Sequence, residues 1–218
     1  MALEGFNEPP LDCPRCPRLV AFRNELQGEY PEWKNAPVRS FGTLDARLLI
    51  VGLAPGMRGA NRTGRPFTGD YAGDLLYSTL LEFGFAQGIY RADPNDGLHL
   101  VDARIANAVR CLPPENKPLP VEFTNCRPFL QAEIAVMPEL KVIVALGKGA
   151  HDQVLRALTV RPAGSYPFIH GRLHSLPTGV TLADSYHCSR YNTSTRVLTP
   201  EMFYAVIADA RRLLNQSF

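Results

Sequence analysis

Two short runs constrain this chain more than anything else in it: RLLIVGL at residues 47–53 and KVIVALG at residues 141–147. Each is an unbroken apolar stretch running into glycine, without polar–apolar alternation. Such a run reads as a strand covered on both faces, as in a parallel sheet sandwiched between helices. Residues 101–109 make a softer strand, interrupted by Asp102, Arg104 and Asn107, and residues 180–186 make a fourth. Helical patterning falls between them, at 71–83 (through Leu75, Leu76, Leu80 and Phe83), 121–136, 150–158 and 200–214. One more helix is predicted at 16–26. This alternation predicts the α/β class, a three-layer α/β/α sandwich around a central, mainly parallel four-stranded sheet. With 218 residues and 45% hydrophobic content, the chain holds one sizeable core. Residues 1–218 are therefore read as a single domain with an N-terminal arm (1–46) ahead of the first strand.

The charged fraction is 20% and the net charge +2, so no strong electrostatic label follows, although a near-balanced total still accommodates a basic patch. The opening MALEGFNEPPLDCPRC lacks the pattern of a secretory leader, and no apolar run is long enough to span a membrane. Those features predict a soluble, cytoplasmic protein with no membrane partner. In a reducing compartment its five cysteines read as metal ligands or buried thiols rather than disulfides. Cys13-Pro-Arg-Cys16 forms a C-x-x-C pair, and Cys111 and Cys126 follow far downstream. Four thiolates suit tetrahedral zinc or a [4Fe–4S] cluster, and the spacing alone slightly favours zinc. In either case the centre would clip the N-terminal arm to the segment after the second strand. Cys188 reads as a buried small apolar residue.

Open α/β sheets bind ligands beyond the carboxyl ends of their strands. The segments to inspect are therefore 54–73, 111–120, 147–149 and 187–199. The first is rich in glycine and arginine but is neither a dinucleotide fingerprint nor a phosphate loop. Within it Phe67, between Pro66 and Thr68, reads as an exposed-loop aromatic suited to stacking on a planar ring. Asp70 is well suited to capping the helix at 71–83. Asn116 resembles a turn residue. His187, at a carboxyl strand end just after Asp184-Ser-Tyr, is better placed for catalysis than for a core.

GLAPG, NRTGRPFTGD and SYHCSRYNTSTRVLT closely resemble family 5 of the uracil-DNA glycosylases. Cys13, Cys16, Cys111 and Cys126 match the [4Fe–4S] ligands of sister families 4 and 5, and the resemblance runs from Cys13 to the final helix. It implies iron in place of zinc. It also implies a monomeric DNA-repair enzyme without an obligatory protein partner. Its partner would be uracil-containing DNA, double- or single-stranded, from which the nucleotide is flipped before its N-glycosidic bond is hydrolysed. By resemblance, Phe67 stacks on the flipped base and backbone around Gly52, Leu53 and Ala54 lines its pocket. His187 donates to the uracil carbonyl as charge develops, Asp70 positions water, and Asn116 is a second polar contact. Arg190 and Tyr191 form a wedge or phosphate contact, and Arg58, Arg62 and Arg65 hold the DNA backbone. No lysine stands out as a Schiff-base nucleophile, so base removal without strand cleavage is expected.

Two positions depart from the pattern. Leu53 stands where family 4 carries a glutamate, so a carboxylate must come from elsewhere. Asn107 stands where family 5 more often has a small apolar residue and family 4 an asparagine that reads the uracil edge. It is expected to narrow the range toward uracil and away from hypoxanthine or xanthine. The rivals are a family 4-type enzyme and a non-catalytic, metal-stapled DNA- or nucleotide-binding module. The latter would not need Asp70, His187 and Phe67 together.

Overall fold

The computed structural model describes residues 8–216. The chain enters through α1 (Pro17–Glu29), whose leading proline occupies a position where no intrahelical N–H is required. There follow β1 (Phe41–Gly42), β2 (Leu48–Gly52), α2 (Tyr71–Glu82), the short pair β3 (Ala86–Gln87) and β4 (His99–Leu100), and β5 (Ala103–Asn107). The second half contains α3 (Pro120–Ala135), β6 (Val142–Leu146), α4 (Lys148–Ala157), β7 (Leu173–Ser175), β8 (Thr181–Ser185), α5 (Arg190–Ser194) and α6 (Pro200–Gln216).

The central sheet has the order β1-β5-β2-β6-β8-β7. Its four inner strands are parallel and coincide with the four predicted ones. The predicted count of four is corrected to six, because β1 and β7 add antiparallel edges. Strands of two and three residues are too short to leave a periodic signature. The β5 strand is also shorter than its predicted range. Asp102 turns out of the ladder with φ +53° and binds the Arg47 guanidinium at 2.6 and 2.8 Å.

Side chains alternate cleanly between two cores. Leu48, Ile50, Ile105, Val142 and Val144 face α2 and α6, whereas Leu49, Val51, Ala106, Ile143 and Ala145 face α3 and α4. All ten are fully buried, the condition the unbroken apolar runs require. The register sets the carboxyl ends level, pairing Gly52 with Asn107 and Leu146 with Ser185. The connection after β2 crosses to one face and the connection after β6 to the other. Their shared edge is the switch point at which such sheets open a crevice.

The arm is held by charge as well as by packing. Glu133 of α3 is buried between Arg104 and Arg110, at 2.5 Å from each, and both arginines also reach Glu8 of the arm at 3.1 and 3.3 Å. Arg18 of α1 pairs with Glu122 of α3 at 2.8 Å. Among the described residues no helix is long and apolar enough to cross a membrane.

Candidate active site

A cleft of about 390 Å³, open to solvent at its mouth, lies over the carboxyl ends of the inner strands. Three of the four inner strand ends contribute to its lining, each something different. The segment after β2 supplies Leu53, Ala54, Phe67 and Asp70, β5 supplies Asn107, the turn before α3 supplies Asn116, and the segment after β8 supplies His187 and Arg190. The structure thus brings together in one wall all three residues assigned to catalysis and most of those assigned to the base. Gly52 lies beneath the cleft rather than on its surface. A β-carbon there would collide with the Asn107 amide and stand 2.6 Å from the Phe67 ring, so only glycine lets those two side chains converge.

Asp70 does two things at once. Its Oδ1 accepts the Gly73 N–H at 3.3 Å, capping α2, while Oδ2 lies over the bare Cα of Gly59, where any β-carbon would overlap it. Burial raises the Asp70 pKa above its ordinary value, and the cap bonds only partly oppose this. His187 follows the end of β8. Its carbonyl takes the Asn192 side-chain amide at 2.8 Å, and its ring lies 5.9 Å from the Phe67 ring. Desolvation pushes the His187 pKa down to about 4, so the imidazole is neutral at physiological pH and offers one N–H donor. Asn107 is 2% exposed, and its Oδ1 has no hydrogen-bond partner within the described protein. A buried amide oxygen without a partner carries a desolvation cost of about 1–3 kcal/mol, which a ligand N–H at the cleft would offset.

Two expectations for the loop after β2 are corrected. Phe67 is not exposed: it is 7% accessible, and its backbone adopts φ +51°, a conformation seldom taken by bulky residues. Arg65 is not a DNA-backbone contact. Its guanidinium is buried, forks onto Asp96 at 2.8 Å through both terminal nitrogens, and donates to Thr68 Oγ1 at 2.7 Å. The rings of Phe41, Tyr77 and Tyr90 surround it within 5.3–5.8 Å. The Tyr77 hydroxyl donates to the Pro66 carbonyl at 2.6 Å and the Tyr90 hydroxyl to that of Phe67 at 3.3 Å. Those bonds secure the unusual Phe67 backbone. Arg58 and Arg62 are exposed but outside the cleft lining, and Tyr191, 74% exposed, projects from α5 beside it.

A second, much smaller hollow is lined by Cys13, Cys16, Cys111 and Cys126 with Leu19, Val109 and Phe129. The Arg110 amide donates to Cys126 Sγ at 3.3 Å, and Asn125 Nδ2 to Cys16 Sγ at 3.8 Å. Among the described residues no three of these sulfurs lie within 4.8 Å of one another. Burial pushes the Cys111 and Cys126 thiols up to about 12 and 11. Cys188 is fully buried with its Sγ directed at the Ala72 carbonyl, as its sequence context predicts.

A family model of the uracil-DNA glycosylase superfamily matches residues 39–211, which contain this cleft. The chain belongs to that superfamily. Among its curated relatives, a protein of Thermus thermophilus named type-5 uracil-DNA glycosylase is 44% identical, over 98% of this chain and 99% of the relative. A protein of the same name from Mycobacterium leprae is 42% identical over 92% and 91%. A type-4 uracil-DNA glycosylase of Thermotoga maritima is more distant, 35% identical over 68% and 63%. These matches put the chain with the type-5 members of the superfamily, in keeping with Leu53 at the position discussed above.

Sequence reasoning missed several residues of this glycosylase cleft. Tyr71, Pro55, Gly56, Ala72 and Ser189 also line it. The signal for Tyr71 was available, since it is the first helical residue after the Asp70 cap and so shares its exposure to the strand ends. Asp96, the partner of Arg65, lies 31 residues downstream in a loop without a motif.

Proposed function

We propose that the chain excises uracil from DNA by hydrolysing its N-glycosidic bond, leaving an abasic site. The observation that carries this reading is the convergence of Phe67, Asn107, His187 and Asp70 on one cleft. Scission leaves positive character on C1′ and negative charge on the departing base, and the cleft offers a group for each. The neutral His187 N–H donates to the uracil carbonyl that gains charge. A preorganised donor of that kind contributes on the order of 10²–10³ in rate. Asp70, as carboxylate, holds the attacking water by hydrogen bonding and takes up proton character as the water adds to C1′. Phe67 supplies an apolar face for the flipped base. No lysine lines the cleft among the described residues, which supports a monofunctional enzyme acting through water.

Asn107 presents an amide to the Watson–Crick edge, its Oδ1 accepting the ring N3–H and its Nδ2 donating to a carbonyl. Hypoxanthine also carries an N–H next to a carbonyl but is a larger bicycle, and the side chain reduces the room available for it. Asn107→Ala is expected to lower uracil release and shift the uracil-to-hypoxanthine ratio toward hypoxanthine, roughly 10-fold, as for other pocket-shape determinants. An unchanged ratio would remove Asn107 from base selection.

We also propose that Cys13, Cys16, Cys111 and Cys126 hold a [4Fe–4S] cluster. Four thiolates around a single zinc at about 2.3 Å would sit roughly 3.8 Å apart, and no three of these sulfurs lie within 4.8 Å of one another among the described residues, whereas a cubane spreads its ligands more widely. When bound, the cluster supplies a covalent cross-link between the arm and α3. The catalytic groups remain those of the cleft. The amides of Arg110 and Asn125 would donate to the cluster's thiolate ligands.

The test is incubation of the metal-loaded protein with a uracil-containing oligonucleotide, followed by hot alkali. Strand breaks only after alkali are the expected result. Well-folded protein that binds the oligonucleotide without producing abasic sites would leave the non-catalytic binding module as the better reading.

A further inference from the structure

His187 stands beyond the last rung of the sheet, where the ladder no longer fixes the backbone. The last backbone bond at this edge is Gly147 N–H to the Ser185 carbonyl at 2.7 Å. The next amide, that of Tyr186, needs a partner from elsewhere, because buried N–H groups in folded proteins are almost always paired. Its partner is the side chain of His170. The Tyr186 N–H donates to His170 Nδ1 at 3.0 Å, and the two rings stack at 4.8 Å with an interplanar angle of 10°. The Met202 carbonyl, at the start of α6, acts on the His170 ring in the sense that favours a protonated nitrogen. Because the Tyr186 amide can only donate, its bond selects the neutral tautomer with Nδ1 as acceptor and the opposite nitrogen protonated.

His170 is itself anchored to the strand it supports. Asp184, in the interior of β8, accepts the Ile169 N–H at 3.1 Å through its side chain and the Gly171 N–H at 2.8 Å through its carbonyl. The same carboxylate meets His151 Nδ1 at 2.6 Å and His174 Nε2 at 3.0 Å, while His151 Nε2 faces the Tyr166 carbonyl at 2.9 Å. This buried knot ties residues 166–174 to β8 and places His170 against Tyr186, the residue before His187. Asn192 grips the His187 carbonyl from the downstream side.

We infer that His170 is a positioning residue for His187, fixing the direction in which the catalytic imidazole enters the cleft through the Tyr186 amide. This rests on the assignment of His187 as donor to the departing base. The group that matters is the unprotonated Nδ1. Three elements face the ring: the Asp184 carboxylate on β8, which favours the charged form, the Tyr186 ring beyond β8, and the Met202 carbonyl on α6. Burial outweighs them and holds His170 below the usual histidine range, so the acceptor form persists at neutral pH.

The experiment compares the full-length protein with His170→Ala and His170→Asn on a uracil-containing duplex oligonucleotide, by single-turnover excision and by equilibrium binding. Asparagine places an acceptor oxygen where Nδ1 stands. His170→Ala is expected to slow excision about 10- to 100-fold, the range for a displaced catalytic group, with binding within about 2-fold. His170→Asn recovers most of that rate. In parallel, hydrogen exchange of the Tyr186 amide accelerates in the alanine variant and returns toward wild type in the asparagine variant. A wild-type rate in a folded His170→Ala protein overturns the inference. So does an asparagine variant as slow as alanine, which would assign the effect to ring packing. Should neither variant fold, nitrogen NMR of wild-type His170 decides. A tautomer protonated at Nδ1, or a rate indifferent to His170 titration, overturns it. Wild-type protein without uracil excision would instead sink the proposed function, and the exchange measurement would still report the His170–Tyr186 coupling.

Discussion

The two loops that face each other across the cleft are built on opposite plans. The loop after β2 is interior structure: Asn61, Thr63, Arg65, Pro66, Phe67 and Thr68 are all buried. Thr63 Oγ1 alone is within 3.4 Å of the carbonyls of Gly59, Arg65 and Thr68. The loop after β8 is surface structure. It carries the five-residue helix α5, capped by Ser189 Oγ at 3.3 Å, with Arg190 and Tyr191 directed outward. On the proposed function, the difference separates two tasks. Recognition and cleavage of a base need groups fixed to within fractions of an ångström, so the first loop is stabilised by buried charge and aromatic packing. Contact with a duplex needs reach and area, so the second loop leaves its largest side chains in solvent. His187 sits at the junction and is gripped from both sides.

Substitutions in the first loop's foundation should therefore have the largest effects. Asp96→Ala leaves the Arg65 guanidinium buried without its partner, and loss of one member of a buried pair costs about 3–5 kcal/mol. Chemical denaturation should report a fall of that size, with excision lost as Phe67 is released. A stability within 1 kcal/mol of wild type, at the scale of a surface pair, would show that the loop does not depend on this pair.

The acid limb of the rate profile sharpens the same contrast. Asp70 is held above the ordinary carboxylate range by burial, so the active carboxylate is present at high pH and is lost as pH falls through that raised value. The neutral form of His187 is retained down to about pH 4, so the limb is assigned to Asp70, with protonation of His170 adding to the loss through the Tyr186 amide. Single-turnover rates across the acid range should begin to fall above the usual carboxylate pKa. A limb at or below that range would reassign it.

The smallest effects belong to the outer loop. Arg190→Ala should weaken duplex binding nearly equally for all sequences and reduce the magnitude of the salt-dependence slope by about 1. Tyr191→Ala should slow excision from duplex more than from single strands, because only a duplex must be opened. Equal losses on both substrates would place Tyr191 at the base rather than in the stack.

The same division explains what was legible in the sequence. Buried parallel strands announce themselves through composition, and strands β2, β5, β6 and β8 were readable for that reason. Edge strands β1 and β7 were not, being too short to repeat the two-residue period. Asp70 and His187 were readable because strand ends are where chemistry collects. Arg65 was misread because Gly-Arg-Pro looks like surface, and only the remote Asp96 makes it interior. His170 and the knot of His151, His174 and Asp184 left no local pattern, since their partners are brought together by the fold alone.

The most direct test of this account is single-turnover excision by His187→Ala and Asp70→Asn, with duplex binding measured on the same preparations. The account predicts rates lowered at least about 100-fold, with binding changed only a few-fold, because each side chain acts on charge that develops during scission. A wild-type rate in either folded variant, or a loss traced wholly to binding, would contradict it.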